Sequence, residues 1–315
     1  MNIVFLDRQT LTDDVNLRRP RFPHTWQDYA STNPEQRLAH AQHADILIVN
    51  KVKLDAAILK QLPRLKLIAV AATGTNNVDL AAAAQQQIIV SNIQDYAAQS
   101  IAEHSIGLMF NLRRNITAYH QAVQQGRWQQ SQQFCFFDYP IDNLAGQKLV
   151  IIGAGNLGQA TAKLAKSIGM EVIFAERKNQ APRTGRVDFM DALACADVLS
   201  IHCPLSSETA DLITHTELAL MKPSALLINT ARGGIVNEAA LLEALRSGGI
   251  AGAACDVVSQ EPPSSDNPLL QAQALSNFIL TPHVGWASSQ SMQSLADQLI
   301  DNIEAFSAGQ PRNQV

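Results

Sequence analysis

Short runs of apolar residues alternate with longer segments of helical period along the whole chain. That alternation is the pattern of parallel strands joined by crossover helices. Residues 3–6, 46–49, 67–71 and 88–90 are too short for helices and apolar at nearly every position, as strands buried on both faces are. A helix is expected next. Ala102, Ile106, Met109, Leu112 and Ile116 recur at intervals of three or four, Ser100 and Glu103 have capping-box spacing, and Gly126 lies just past the pattern. Residues 129–146 read as a loop, with turn signals at Asp138-Tyr139-Pro140 and Asp142-Asn143. A second series of strands follows at 149–152, 172–175, 198–202, 225–229, 252–255 and 278–280, and an amphipathic helix over 289–306 ends the pattern. Two such series predict an α/β protein with two doubly wound lobes.

Composition narrows the class. Of 315 residues, 46% are hydrophobic and 17% charged, which suits a globular protein with a sizeable core. A net charge of −4 argues against nucleic acid or an anionic membrane as partner. Cys135, Cys195, Cys203 and Cys255 show no CxxC spacing, so no metal site is expected, and their scatter fits a reducing compartment. The apolar run at the N-terminus is closed early by Asp7, unlike a signal peptide, and no stretch approaches the roughly 20 apolar residues of a membrane span. A cytoplasmic protein is expected.

One turn carries a specific signal. Gly153-Ala154-Gly155-Asn156-Leu157-Gly158 follows a strand and opens a helix. The first glycine permits the tight turn, the second lets backbone approach a pyrophosphate, and the third lets helix and strand pack closely. The helix N-terminus then offers free N–H groups to phosphate. Glu176 ends the next strand, eighteen residues past Gly158. A carboxylate there takes the ribose hydroxyls of NAD and repels the 2′-phosphate of NADP. Arg177 beside it makes NADP the weaker alternative.

Three segments place isolated polar residues at strand ends, where open α/β sheets bind ligands. They are Asn229-Thr230-Ala231-Arg232-Gly233-Gly234, Asp256 to Glu261-Pro262, and Thr281-Pro282-His283-Val284-Gly285-Trp286. An arginine fork matches a carboxylate. A histidine, with a reference pKa of about 6.5, exchanges protons near neutrality, and a neighbouring carboxylate favours its charged form. His104 reads instead as a packing or interlobe hydrogen-bonding residue, and His202, at a strand end, as one that lines the cofactor side without doing chemistry.

These segments, with Ala72-Thr73-Gly74-Thr75-Asn76-Asn77-Val78-Asp79, Ala102-Glu103-His104 and the glycine turn, resemble the D-isomer-specific 2-hydroxyacid dehydrogenase family over nearly the whole chain. The resemblance implies two Rossmann-like lobes with a cleft between them: residues 1–98 and 287–315 for substrate, 99–286 for NAD. It implies hydride transfer between NAD(H) and C2 of a small 2-hydroxy or 2-keto acid. Arg232 binds the substrate, His283 is the acid–base and Glu261 its partner. Gly153, Gly155, Asn156, Leu157 and Gly158 meet the pyrophosphate, Glu176 and Arg177 the ribose, and Cys203 and Pro204 the adenine. Thr230, Ala231, Arg232, Asp256 and His283 lie toward the nicotinamide. Ala72, Thr73, Gly74 and Trp286 join Arg232 at the substrate. The segment from His283 to Ser288, with Trp286 three places after the histidine, is similar to the glycerate dehydrogenase and hydroxypyruvate reductase branch, although Val284-Gly285 departs from its usual Ile-Ala. Lactate-type or phosphoglycerate-type dehydrogenases, and a corepressor-like NADH sensor, are the alternatives. The family implies a homodimer formed through the cofactor lobe.

Overall fold

The apolar runs become strands of two separate parallel sheets in the computed structural model, which describes residues 1–315. The chain divides into two units, Met1–Tyr96 with Ala287–Val315, and Ala97–Trp286.

In the first unit the strands are β1 (Asn2–Phe5), β2 (Thr25–Asp28), β3 (Ile46–Val49), β4 (Leu67–Val70) and β5 (Ile89–Ser91), in the order β2-β1-β3-β4-β5. Every position of β3 and β4 is buried, which is why both stand out as continuous apolar runs. Strand β2, Thr-Trp-Gln-Asp, escaped the sequence reading because it is a polar edge strand with hardly a buried position. Its Trp26 is covered by the Arg19 guanidinium, 4.0 Å from the ring centroid. Three short helices, α1 (Arg37–Ala41), α2 (Ala56–Leu59) and α3 (Leu80–Gln85), connect the strands, and the C-terminal helix Ser289–Ser307 packs on β4.

Between β1 and β3 the strand order reverses, and the chain fills that point itself. Buried Asp7, just past β1, accepts the backbone N–H groups of Asn50 (2.9 Å), Lys51 (2.6 Å) and Val52 (3.1 Å) beyond β3. Burial raises its carboxyl pKa despite these bonds.

The second unit begins with α4 (Ala98–Arg114) and α5 (Ile116–Gln124). The sequence predicts one helix here, but Asn115 adopts a left-handed conformation (φ 50°) and divides it. Ile116, expected on the buried face, is therefore 54% exposed. The expected capping box is also absent. The helix starts at Ala97 without a side-chain cap, Ser100 Oγ donates to the Gly285 carbonyl (2.8 Å), and Glu103 accepts from Gln99.

Then follow β6 (Lys148–Ile152), α6 (Asn156–Ser167), β7 (Glu171–Ala175), α7 (Phe189–Cys195), β8 (Val198–Ile201), α8 (His215–Leu220), β9 (Leu226–Asn229), α9 (Glu238–Ser247), β10 (Gly252–Cys255), α10 (Pro268–Ala272) and β11 (Phe278–Leu280). All pairings are parallel, in the order β11-β10-β9-β8-β6-β7, and a single bridge from Ala175 to Val187 extends the sheet beyond β7. The order reverses between β6 and β8, so a ligand crevice is expected at their carboxyl ends. At the opposite rim, the buried guanidinium of Arg113 on α4 donates to the carbonyls of Asp197 and Ser224 (3.0 Å each), just before β8 and β9. No helix is long and apolar enough to cross a membrane.

The closure at Asp7 yields a stability prediction. Asp7→Ala strands three N–H groups and should cost about 3 kcal/mol. The check is the urea midpoint of the first unit's unfolding; a midpoint matching that of the unmutated chain contradicts the role.

Candidate active site

The glycine turn closes on the crevice at the reversal point of the second sheet. Gly153 has φ +100°, and a Cβ there would stand 2.6 Å from the backbone carbonyl of His202 at the end of β8. A Cβ on Gly158 would meet the Gly153 carbonyl oxygen at 2.0 Å. Both positions therefore demand glycine, whereas Gly155 faces open space, where a ligand's phosphates need room. Gly155 is the N-cap of α6, and no side chain caps that helix, so Asn156, Leu157 and Gly158 present its first turn to an anion.

A cavity of about 720 Å³ opens beside this turn, lined among others by Gly155, Glu176, Arg177, His202, Cys203 and Pro204. Its volume and its phosphate-ready end fit the adenosine half of a dinucleotide. Burial holds the His202 pKa down to about 4, and its Nε2 lies 2.9 Å from Ser200 Oγ. It lines the cavity as a neutral ring. Burial pushes the Cys203 thiol up to about 11, which makes it an unreactive wall.

Glu176 differs from the open carboxylate that the sequence suggests. Its side chain is fully buried and clasped by Arg183, whose Nε lies 2.7 Å from Oε2 and whose Nη2 bonds Oε1. Those bonds hold its pKa far below the usual carboxylate range. Arg183 was missed in the sequence because it sits in a loop seven residues away, where no periodicity links the two.

The polar rim is formed by neighbouring strands. β9, β10 and β11 run side by side, so Arg232, Asp256 and His283 all leave the same edge of the sheet. Asp256 organises this edge. It is 2% exposed, and its Oδ1 accepts the Thr281 hydroxyl (2.6 Å) and the Val284 N–H (2.9 Å), while Oδ2 accepts the Gly285 N–H (2.8 Å). His104 on α4 adds its Nε2, 3.2 Å from Thr281 Oγ1 and 3.6 Å from Asp256 Oδ1. Burial pushes this carboxyl's pKa up, but the bonds from His104, Thr281 and the two amides outweigh it and leave the pKa lowered.

The loop so held carries His283 with φ 55°, a strained value for a residue with a side chain. Its N–H donates to the Asp256 carbonyl (2.7 Å), and its carbonyl accepts the indole N–H of Trp286 (3.0 Å). Its Nδ1 lies 2.7 Å from Glu261 Oε2. An imidazole bonded to a carboxylate through Nδ1 keeps Nε2 for a proton to be moved. Arg232 donates from Nη1 to the Ala231 carbonyl (2.7 Å), which anchors one side of its fork. Buried Thr230 pairs with Ser105 on α4 (3.0 Å), and the Ala231 N–H donates to Asn229 (3.1 Å), so both set the course of the backbone before Arg232. In the first unit, Ala72, Thr73 and Gly74 follow β4. Ala72 accepts from Ile93 N–H (3.0 Å), and the Thr73 hydroxyl donates to the Ile93 carbonyl (2.7 Å).

Asp256 gives a pH-dependent prediction. A folded-state pKa below the ordinary 3.8 means the ionised form stabilises the fold above that pH, and the gain fades as the group protonates. Asp256→Asn should lower unfolding free energy by about 2 kcal/mol at pH 7. The gap from the unmutated chain should narrow toward pH 3; a gap constant across that range in urea titrations contradicts the assignment.

Comparison with known proteins is consistent across the chain. Residues 106–285 match the family model "D-isomer specific 2-hydroxyacid dehydrogenase, NAD binding domain". Glycerate dehydrogenase of Methylorubrum extorquens is 52% identical over 314 residues, covering 99% of this chain and 98% of that protein. Hydroxypyruvate reductase of Blautia hydrogenotrophica is 36% identical over 90% of this chain and 88% of its own. The structure of an NADPH-dependent glyoxylate/hydroxypyruvate reductase from Sinorhizobium meliloti superposes with a TM-score of 0.82 at 26% identity, covering 100% of this chain and 97% of that one. The two doubly wound parallel sheets, the phosphate-binding turn and these matches agree: the chain belongs to the D-isomer-specific 2-hydroxyacid dehydrogenases, NAD-dependent oxidoreductases acting on the CH–OH group of a 2-hydroxy acid.

Proposed function

We propose that the chain reduces hydroxypyruvate to D-glycerate, and glyoxylate as a second substrate, with His283 as the acid–base. The observation that carries this is the 2.7 Å contact between His283 Nδ1 and Glu261 on the same carboxyl rim as the glycine turn. The names of the relatives support the substrate class. Bound dihydronicotinamide supplies the hydride. The other parts belong to the chain. Arg232 offers its guanidinium to the carboxylate and carbonyl of the keto acid. His283 delivers a proton from Nε2 to the substrate oxygen, and Glu261 stabilises the imidazolium beforehand. Asp256 acts through the loop, as a positioning residue. Trp286, tied to the His283 carbonyl, borders the substrate. In the first unit, the family resemblance assigns the backbone at Ala72, Thr73 and Gly74 to the substrate carboxylate. The first unit is accordingly the substrate unit and the second the NAD unit. All four cysteines are unpaired, which supports a cytoplasmic setting.

The enzyme is proposed to work as a homodimer. Phe134 and Phe137 in the second unit are 88% and 77% exposed, and Trp128 and Ile116 nearby are half exposed. Exposed aromatics of that size commonly mark an interface.

Two measurements test these readings. A panel of 2-keto acids assayed by NADH oxidation should show turnover with hydroxypyruvate and glyoxylate, and His283→Ala should lower kcat about 1,000-fold or more. Silence on every keto acid, or near-normal turnover in the variant, contradicts the function. Sedimentation equilibrium should give twice the chain mass, with Phe134→Ser/Phe137→Ser shifting it toward one; a monomer at micromolar concentration contradicts the dimer.

A further inference from the structure

Residues 256–267, between β10 and α10, contain neither helix nor strand, yet they carry Glu261 to the imidazole of His283. The Glu261 side chain is 33% exposed, so burial does not fix it. Its Oε1 accepts the Val258 N–H (3.3 Å), and its Oε2 faces His283 Nδ1 (2.7 Å). Where Glu261 stands therefore depends on where the backbone at Val258 and Ser259 lies.

One carboxylate holds that backbone. Glu238, the first residue of α9, accepts the Ser259 N–H at Oε1 and the Ser259 hydroxyl at Oε2 (3.0 Å). The same Oε2 accepts Asn267 Nδ2 (2.8 Å). Asn267 is buried, and its own side-chain oxygen caps α10 by accepting the Leu269 N–H (2.9 Å). Ser259 and Asn267 flank Glu261 in the chain, so one side chain gathers both ends of the loop. Hydrogen bonds to an ionised acceptor are about twice as strong as neutral ones. Glu238 is itself well anchored. It follows the N-cap Asn237, whose Oδ1 accepts the Ala240 N–H (3.0 Å), and it stands in the first helical turn, where the dipole favours a carboxylate. The turn before α9 meets the same point: a Cβ on Gly233 would stand 1.9 Å from the Val258 carbonyl oxygen, so backbone lies against backbone there. Arg232 and Glu261 thus ride on two segments that touch, and Glu238 ties them together.

We propose that Glu238 is a positioning residue for the acid–base pair: its carboxylate holds the loop that sets Glu261 against His283. It acts through Glu261 and not on the reacting atoms. Without its three bonds, Ser259 and Asn267 turn to water, the Val258 N–H leaves Glu261, and the imidazole loses a fixed partner. Loosened placement of a catalytic group lowers turnover, while the glycine turn and dinucleotide binding stay as they are. The inference rests on the dehydrogenase reading above.

The test is a double-mutant cycle in the full-length protein, with kcat measured on hydroxypyruvate and NADH, and NADH Kd measured by dihydronicotinamide fluorescence. Glu238→Ala should lower kcat about tenfold and leave the NADH Kd within about twofold, which also shows that the variant is folded. In a Glu261→Ala background the same change should lower kcat by less than about twofold, because the residue it acts through is already gone. A general loss of structure would instead cost the same factor in both backgrounds. Should Glu238→Ala yield no folded protein, Ser259→Ala removes the hydroxyl bond alone and runs the same cycle, with an expected loss of about threefold that vanishes beside Glu261→Ala. Equal factors in the two backgrounds, or a kcat unchanged by the substitution, overturn the proposal. An impaired Glu261→Ala beside that result leaves the dehydrogenase reading standing; no turnover by the unmutated chain removes both.

Discussion

In a parallel sheet whose crossovers run outward from a central point, two neighbouring strands send their chains in opposite directions, and a gap opens at their carboxyl ends. What the sequence places in that gap decides what the sheet is for. In the first unit the gap lies past β1 and β3, and Asp7 fills it by accepting three backbone N–H groups. In the second it lies past β6 and β8, where Gly153 brings its turn against the His202 backbone and Gly155 keeps the space above it open. One topology thus yields a sealed end and a phosphate cradle.

The chemistry at the second rim depends on a separation of tasks between carboxylates. Asp256 is buried and committed to the loop backbone, so it fixes where His283 stands. Glu261 lies nearer solvent and bonds the imidazole itself. Glu176, at the cofactor end, is occupied by Arg183. Three acidic residues end in three different electrostatic situations, and the difference comes from neighbours rather than from the side chain.

That difference also marks how far the sequence could be read. Strands buried on both faces, such as β3, β4 and β8, announce themselves as apolar runs. Glycines that a Cβ would abolish announce themselves by spacing. The Glu261–His283 pair followed from family resemblance. Strand β2 did not show, because its stability comes from pairing with β1 and not from its own side chains. The division of the long helix at Asn115 did not show either, since asparagine is ordinary in a helix until its φ is known. The clasp on Glu176 depends on a loop folding back over seven residues, and no local pattern encodes that.

Arg113 adds a polarity to the second unit. Its guanidinium staples the loops entering β8 and β9, on the rim remote from the glycine turn and from His283. The Arg113 rim thus carries a purely structural staple, while the opposite rim holds both structural bonds and the residues proposed for chemistry. Variation among descendants of such a chain should divide along the same axis. Changes at the stapled end would surface as lost yield of folded enzyme, and so would changes at Asp256, whereas the open-rim side chains that hold no loop in place are the ones left to diversify.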